Sequence, residues 1–152
     1  MADLLVPLYD LPLRLRCPGF CVRKPMSYEG RDIGQWIDLH FSPSWSSEVL
    51  PSLYRTPPSM LIAIEESSKK LAGFCAWDCT ALGFLGPVGV AAEYRGVGAG
   101  RALVLEALNC MREQGYGYCI VGSAGPVEFF AAVSGASVIP RSTPGIYPGR
   151  FE

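Results

Sequence analysis

Residues Val88 to Leu103 read V-G-V-A-A-E-Y-R-G-V-G-A-G-R-A-L. The first three residues close an apolar, β-branched run, and helical spacing begins near Gly98. Arg95, Gly96, Gly98 and Gly100 fall in the turn between them. A strand that runs through a glycine-rich turn into a helix leaves several backbone N–H groups free and crowded together. The helix dipole adds positive potential at the same place. Such a turn suits an anion, phosphate above all. It is not a Walker loop, because G-x-x-x-x-G-K-[ST] has no match. It also misses the dinucleotide pattern G-x-G-x-x-G/A. From Gly96 the last position is Arg101, and from Gly98 it is Leu103. On composition alone, a ligand-free turn remains an alternative.

The flanks supply a frame for this turn. Gly98 to Gln114 reads as the longest helix, with Val104, Leu105, Leu108 and Met111 on one stripe and Gly115 closing it. Upstream, Met60–Glu65 and Leu71–Thr80 read as a hairpin, and Phe84–Val90 as a third strand. Gly86, Pro87 and Gly89 interrupt that strand, which marks a bulge or a close backbone approach. Downstream come a strand over Tyr118–Val121, a helix from Pro126 to Gly135, and a last strand at Val138 and Ile139. Ahead of the hairpin, Phe20–Arg23 has strand character. Ser27 can cap a helix whose Ile33, Trp36, Ile37, His40 and Phe41 share one face. Ser42–Pro58 holds a short second helix between loops. The first 16 residues alternate Leu, Pro and charge. The expectation is an N-terminal arm over residues 1–18 and one domain over 19–152.

Composition narrows the partners. A chain of 152 residues is one domain's worth. Thirteen Lys and Arg against 14 Asp and Glu leave no basic excess, so nucleic acid is not an expected partner. A net charge of −1 gives little repulsion between copies, so monomer and homodimer both stay open. No apolar run approaches membrane-spanning length. The opening MADLLVPLYDLPLRLRC has no basic n-region, which leaves the cytoplasm as the expected compartment and no membrane as partner. Six cysteines contain no C-x-x-C, and there is one His, so no metal is expected. The cysteines read as small buried hydrophobes.

Arg95, Gly98 and Gly100, in R-x-x-G-x-G after a strand and opening a helix, resemble the signature of the GNAT superfamily of N-acetyltransferases. The resemblance covers roughly Gly19 to Ile146. GPVEFFAAVSGA (Gly125–Ala136) and STPGIY (Ser142–Tyr147) look like a bacterial single-domain branch. It implies an α+β fold in α/β/α layers, with a mixed, mostly antiparallel sheet. Two parallel strands, ending near Val90 and Val121, would splay apart. It also implies acetyl-CoA as co-substrate and a primary amine as acceptor, attacking the thioester directly. Backbone N–H groups of Arg95, Gly96, Val97, Gly98, Ala99, Gly100 and Arg101 would hold the pyrophosphate. Val88, Gly89 and Val90 would pair with the pantetheine arm, and the Val90 N–H would polarise the thioester carbonyl.

The acid and base are less determined. Many members of that family carry a Tyr where this chain has Phe130, which has no proton to give. Ser123 and Tyr147 are the candidate substitutes, with water protonating the thiolate as the alternative. Asp78, after Trp77, is one candidate base. Glu48, near Trp45, is another, and both Trp residues are candidate walls of the acceptor pocket. His40 and Glu93 read as structural and solvent-facing. Phe130 also keeps open a second reading, an acyl-CoA sensor or interaction module that does not turn over.

Overall fold

The computed structural model describes residues 1–152. Its strands are β1 (Leu4–Pro7), β2 (Phe20–Arg23), β3 (Met60–Glu65), β4 (Leu71–Trp77), β5 (Phe84–Val90), β6 (Tyr118–Val121) and β7 (Ser137–Val138). Its helices are α1 (Gly30–His40), α2 (Pro43–Glu48), α3 (Leu50–Leu53), α4 (Ala99–Glu113) and α5 (Val127–Ser134). One sheet holds all seven strands in the order β2-β3-β4-β5-β6-β1-β7. Only β5 and β6 run parallel.

The period-two alternation of the strands sorts the core into two layers. Met60, Ile62, Phe74 and Ala76 point to one face, where Ile33 and Ile37 of α1 cover them with Val49 and Leu53. Leu61, Ala63, Cys75 and Trp77 point to the other, under Leu103, Val104, Leu108 and Met111 of α4 and Phe130 and Val133 of α5. Each fully buried Leu or Ile contributes about 1.5–3 kcal/mol. The result is the expected α/β/α layering around a mixed sheet.

Local chemistry sets the helix boundaries. Ser42 Oγ accepts from Trp45 N at 3.1 Å, and Pro43 takes the first helical position of α2. Gly98, at φ +95°, precedes α4 in a conformation that favours glycine. Ser27 does not cap α1, contrary to expectation. Residues Ser27–Glu29 form a 3-10 turn instead. The Glu29 carboxylate accepts from Met26 N and pairs with Arg23 at 2.8 Å. The single helix expected in Ser42–Pro58 is two short ones, α2 and α3, divided at Val49.

The N-terminal arm is a correction. Residues 4–7 are strand β1, antiparallel to both β6 and β7 and lying between them. Leu4, Val6 and Leu8 are fully buried. Alternating Leu and Val at spacing two satisfied the strand rule, and burial of that face holds the segment in the sheet. Farther along, Arg14 pairs with Glu106 at 3.0 Å and with Glu113, tying residues 11–16 across α4. No helix is long and apolar enough to cross a membrane.

Candidate active site

A change of register opens the site. β5 pairs with β6 only at Phe84↔Ile120 and Leu85↔Val121. On its other side, Trp77 of β4 faces Leu85 but Cys75 faces Val88, so β5 carries one extra residue at Gly86–Pro87. Gly86 sits at φ +118°. Such a bulge bends its strand. β5 leaves β6 at this bulge, and the gap widens into a cavity of about 1130 Å³.

The backbone lining the gap follows from alternation along β5. Ala91 N donates to Ala72 O at 2.8 Å, toward β4. The Val90 carbonyl faces the opposite way and accepts from Arg95 Nε at 3.0 Å. The N–H groups of Val88 and Val90 therefore face the gap. The expected close approach of a ligand at Gly89 has another cause. A Cβ there would lie 2.5 Å from the Phe41 ring, so the missing side chain makes room for Phe41.

At the Val90 end lies the glycine-rich turn. Gly96 and Gly98 have φ of +82° and +95°. The six consecutive N–H groups from Gly96 to Arg101 have no acceptor within the protein. Gly96, Gly98, Ala99, Gly100 and Arg101 line the cavity with Arg95, and the dipole of α4 points its positive end there. The Val97 side chain does not line the cavity. Its carbonyl accepts from the thiol of Cys17 at 3.2 Å, and Cys17 is buried against Ala99 and Ala102. The turn is thus held from behind by a residue that nothing in its sequence context singles out.

At the Gly86 end stands Glu48, the last residue of α2. Its Oε2 accepts from Thr80 Oγ1 at 2.6 Å and from Tyr147 Oη at 2.7 Å. Its Oε1 has no partner, and no Lys, Arg or His pairs with it. Burial, reinforced by the bond to Glu48, pushes the Tyr147 phenol up to about 12, so it remains a proton donor. Trp45 lines the cavity beside Glu48 and packs on Phe41, ring centroids 5.1 Å apart. Cys79 Sγ donates to the Gly86 carbonyl at 3.0 Å and anchors the bulge.

Across the gap, Ser123 follows β6 at φ +47° and lines the cavity. The Asp3 carboxylate holds it, accepting from Ser123 N at 2.7 Å. Phe130 is 5% exposed and lines the cavity with Phe129. Met1, Asp3, Thr80, Phe129 and Cys17 had no sequence signal.

Two candidates lie elsewhere. Trp77 is 1% exposed in the layer under α4, where its Nε1 donates to Gln114 Oε1 at 2.6 Å. Strand parity turns it away from the cavity, so it is no pocket wall. Asp78 is buried, but as a clamp on the β4–β5 turn rather than a base. It accepts from Gly83 N at 2.7 Å, from Tyr116 Oη at 2.9 Å and from Arg55 Nη1 at 3.3 Å. These donors occupy both of its oxygens, and it does not line the cavity. His40 is exposed and stacks on Trp36 with centroids 4.5 Å apart. Glu93 is exposed.

Solved structures share this architecture. A GCN5-related N-acetyltransferase from Sphaerobacter thermophilus matches with a TM-score of 0.73 at 20% identity, over 91% of this chain and 48% of that one. A GNAT family acetyltransferase from Brucella melitensis, in complex with acetyl-CoA, matches with a TM-score of 0.56 at 22% identity, over 88% and 92%. A GNAT family N-acetyltransferase from Escherichia coli, in complex with CoA, matches with a TM-score of 0.50 at 23% identity, over 70% and 61%. The chain spans about half the length of the Sphaerobacter protein. No curated protein matches it by sequence. The sequence profile of the acetyltransferase (GNAT) family matches residues 30–127, from α1 through the glycine-rich turn to the start of α5. With the parallel pair splayed at the bulge and the free amides at the head of α4, that match identifies the chain as a member of the GNAT acetyltransferase family.

Proposed function

We propose that the protein is an acyl-CoA-dependent N-acyltransferase that moves an acetyl group from acetyl-CoA to a primary amine. The observation that carries this reading is one cavity with two chemically opposite ends. Six unpartnered N–H groups and two Arg side chains lie at one end, and an unpaired carboxylate at the other. The first end fits a pyrophosphate. The strand edge between them offers the N–H groups of Val88 and Val90 to an extended arm. The CoA- and acetyl-CoA-bound relatives support the same assignment.

Acetyl-CoA, when bound, supplies an activated acyl group as a thioester. The turn from Gly96 to Arg101 binds its pyrophosphate, and Arg95 braces the turn through Val90 O. The Val88 N–H, two residues nearer Glu48, polarises the thioester carbonyl, and the Val90 N–H pairs with the arm between it and the pyrophosphate. Glu48 Oε1 binds the acceptor ammonium and takes its proton, while Thr80 and Tyr147 hold the carboxylate in place. Ser123 is the candidate donor to the departing sulfur, because Phe130 has no proton to give. The chain contributes mainly positioning and an oriented dipole at the carbonyl.

Phe130 also supports a binding-only protein, and one experiment separates the two. Acetyl-CoA and CoA are titrated by calorimetry, and free thiol release is followed with a panel of amines. Micromolar binding with amine-dependent thiol release is expected. No heat and no thermal shift with either ligand removes the acyl-CoA reading. Tight binding without release for any amine favours the sensor.

A further inference from the structure

The charges lining the cavity specify the acceptor more closely than an amine in general. Three charged side chains line it, Arg95 and Arg101 at the glycine-rich turn and Glu48 at the other end, while Met1, with its amino group, lines it beside Gly125 across the gap from β5. The two ends lie along β5, from Val90 to Gly86, about 13 Å apart at the usual strand rise. Arg95 is tied to Val90 O, which fixes it at the far end.

Around Glu48 the walls are apolar and largely occupied. Trp45 and Pro87 line the cavity on the sheet face that α2 covers, and Tyr147 lines it against Glu48. The Tyr147 hydroxyl is committed to Glu48. Ser44 Oγ accepts from Arg150 Nη1 at 3.1 Å, and Arg150 is an exposed residue outside the cavity wall. One carboxylate oxygen, with no protein donor and no counter-ion, is the charged group left for an acceptor. A partly buried anion without a cationic partner is costly until a ligand supplies one.

Building on the acyltransferase reading, we infer that the acceptor is a monocationic primary amine with an apolar or aromatic body. A carboxylate or phosphate on the acceptor would find no cation on the wall at this end. A second ammonium would find no second carboxylate and would lie against Trp45 and Pro87. Amino acids, phosphorylated amines and short diamines are thus excluded by missing partners, while an aryl or alkyl chain gains contact with the apolar walls.

Matched pairs of probes test this directly. 2-Phenylethylamine and phenylalanine differ by one carboxylate, and butylamine and 1,4-diaminobutane by one ammonium. Turnover is measured as thiol release from acetyl-CoA, and acetyl-CoA binding by calorimetry on the same sample. The expected result is a kcat/KM on the order of 100-fold higher for the first member of each pair. Glu48→Gln should abolish turnover of 2-phenylethylamine and leave acetyl-CoA affinity unchanged. Equal or reversed preference within either pair overturns the inference. So does intact acetyl-CoA binding with no turnover of 2-phenylethylamine or butylamine, which leaves the acyl-CoA site standing. Loss of acetyl-CoA binding itself would instead remove the reading underneath.

Discussion

The Tyr147 hydroxyl donates to Glu48 Oε2 at 2.7 Å, across 99 residues of sequence. The C-terminal tail therefore helps to set a carboxylate that ends α2. Removing the hydroxyl alone leaves Thr80 as the one donor to that oxygen. Tyr147→Phe should lower kcat/KM for the amine about tenfold, the usual value of one hydrogen bond to a charged group. Acetyl-CoA affinity, measured by calorimetry, should not move. Equal loss in both would mean that the tail supports the whole cavity rather than Glu48.

Gly98 separates binding from folding. Its φ of +95° is strained for any side chain, so Gly98→Val should cost about 1–2 kcal/mol in a urea melt. The same change displaces amides that would hold pyrophosphate, so acetyl-CoA affinity should fall well beyond tenfold. Gly34 is the matched control. It lies inside α1 with open space around its missing Cβ. Gly34→Ala should stabilise the fold by about 0.5–1 kcal/mol and leave binding alone.

Cys17 supports the turn through the Val97 carbonyl. Cys17→Ala should weaken acetyl-CoA binding roughly threefold by loosening the turn. Cys17→Ser, which keeps a donor at that point, should restore most of the affinity. If both variants bind equally well, the thiol is packing alone.

Asp78 gives the opposite signature. Asp78→Ala leaves Gly83 N, Tyr116 Oη and Arg55 without their acceptor, which should cost about 2–3 kcal/mol in chemical denaturation. KM for both substrates should be unchanged in the folded fraction. A large fall in kcat at unchanged stability would restore Asp78 as the base.

Alkali should unfold the protein before its ionic pairs fail. Burial raises the Cys119 thiol from 9.0 to about 12 and the Cys75 thiol well above 9.0. Tyr147 rises from 10.0 to about 12. Each group is neutral when protonated, and its raised folded value favours that form. The stability it contributes is complete below the unfolded value and disappears as pH climbs through the folded one. Tm should therefore be flat from pH 7 to 9 and fall between pH 9 and 12. Cys119→Ala, despite its cavity, should show a shallower fall.

How much was legible in the sequence depended on the range of the interaction. The turn at Arg95–Gly100 and the stripe of α4 are local, and glycine spacing and helical period displayed them. The meander from Met60 to Val90 was legible for the same reason. β1 was not, because its partners Cys119–Val121 lie more than 110 residues away and four residues ending in Pro7 form a weak pattern. Trp77 lies off the cavity because strand parity turns it under α4, and Asp78 because Gly83, Tyr116 and Arg55, all distant in sequence or across a turn, claim its carboxylate. Glu48 and Trp45 were recognised as candidates, but the Thr80 and Tyr147 contacts that seat Glu48 depend on tertiary structure.

The insertion of β1 between β6 and β7 bears on how the chain is made. β3, β4, β5 and α4 follow one another in sequence, and such short-range contacts form early. A nascent chain that has emerged through Glu113 already contains the hairpins and the glycine-rich turn. β1, although made before β6, must wait for it, and Glu48 must wait for Tyr147. The anion-binding half of the cavity can thus be assembled during translation, whereas the amine-facing half closes only once β6 and Tyr147 have been made.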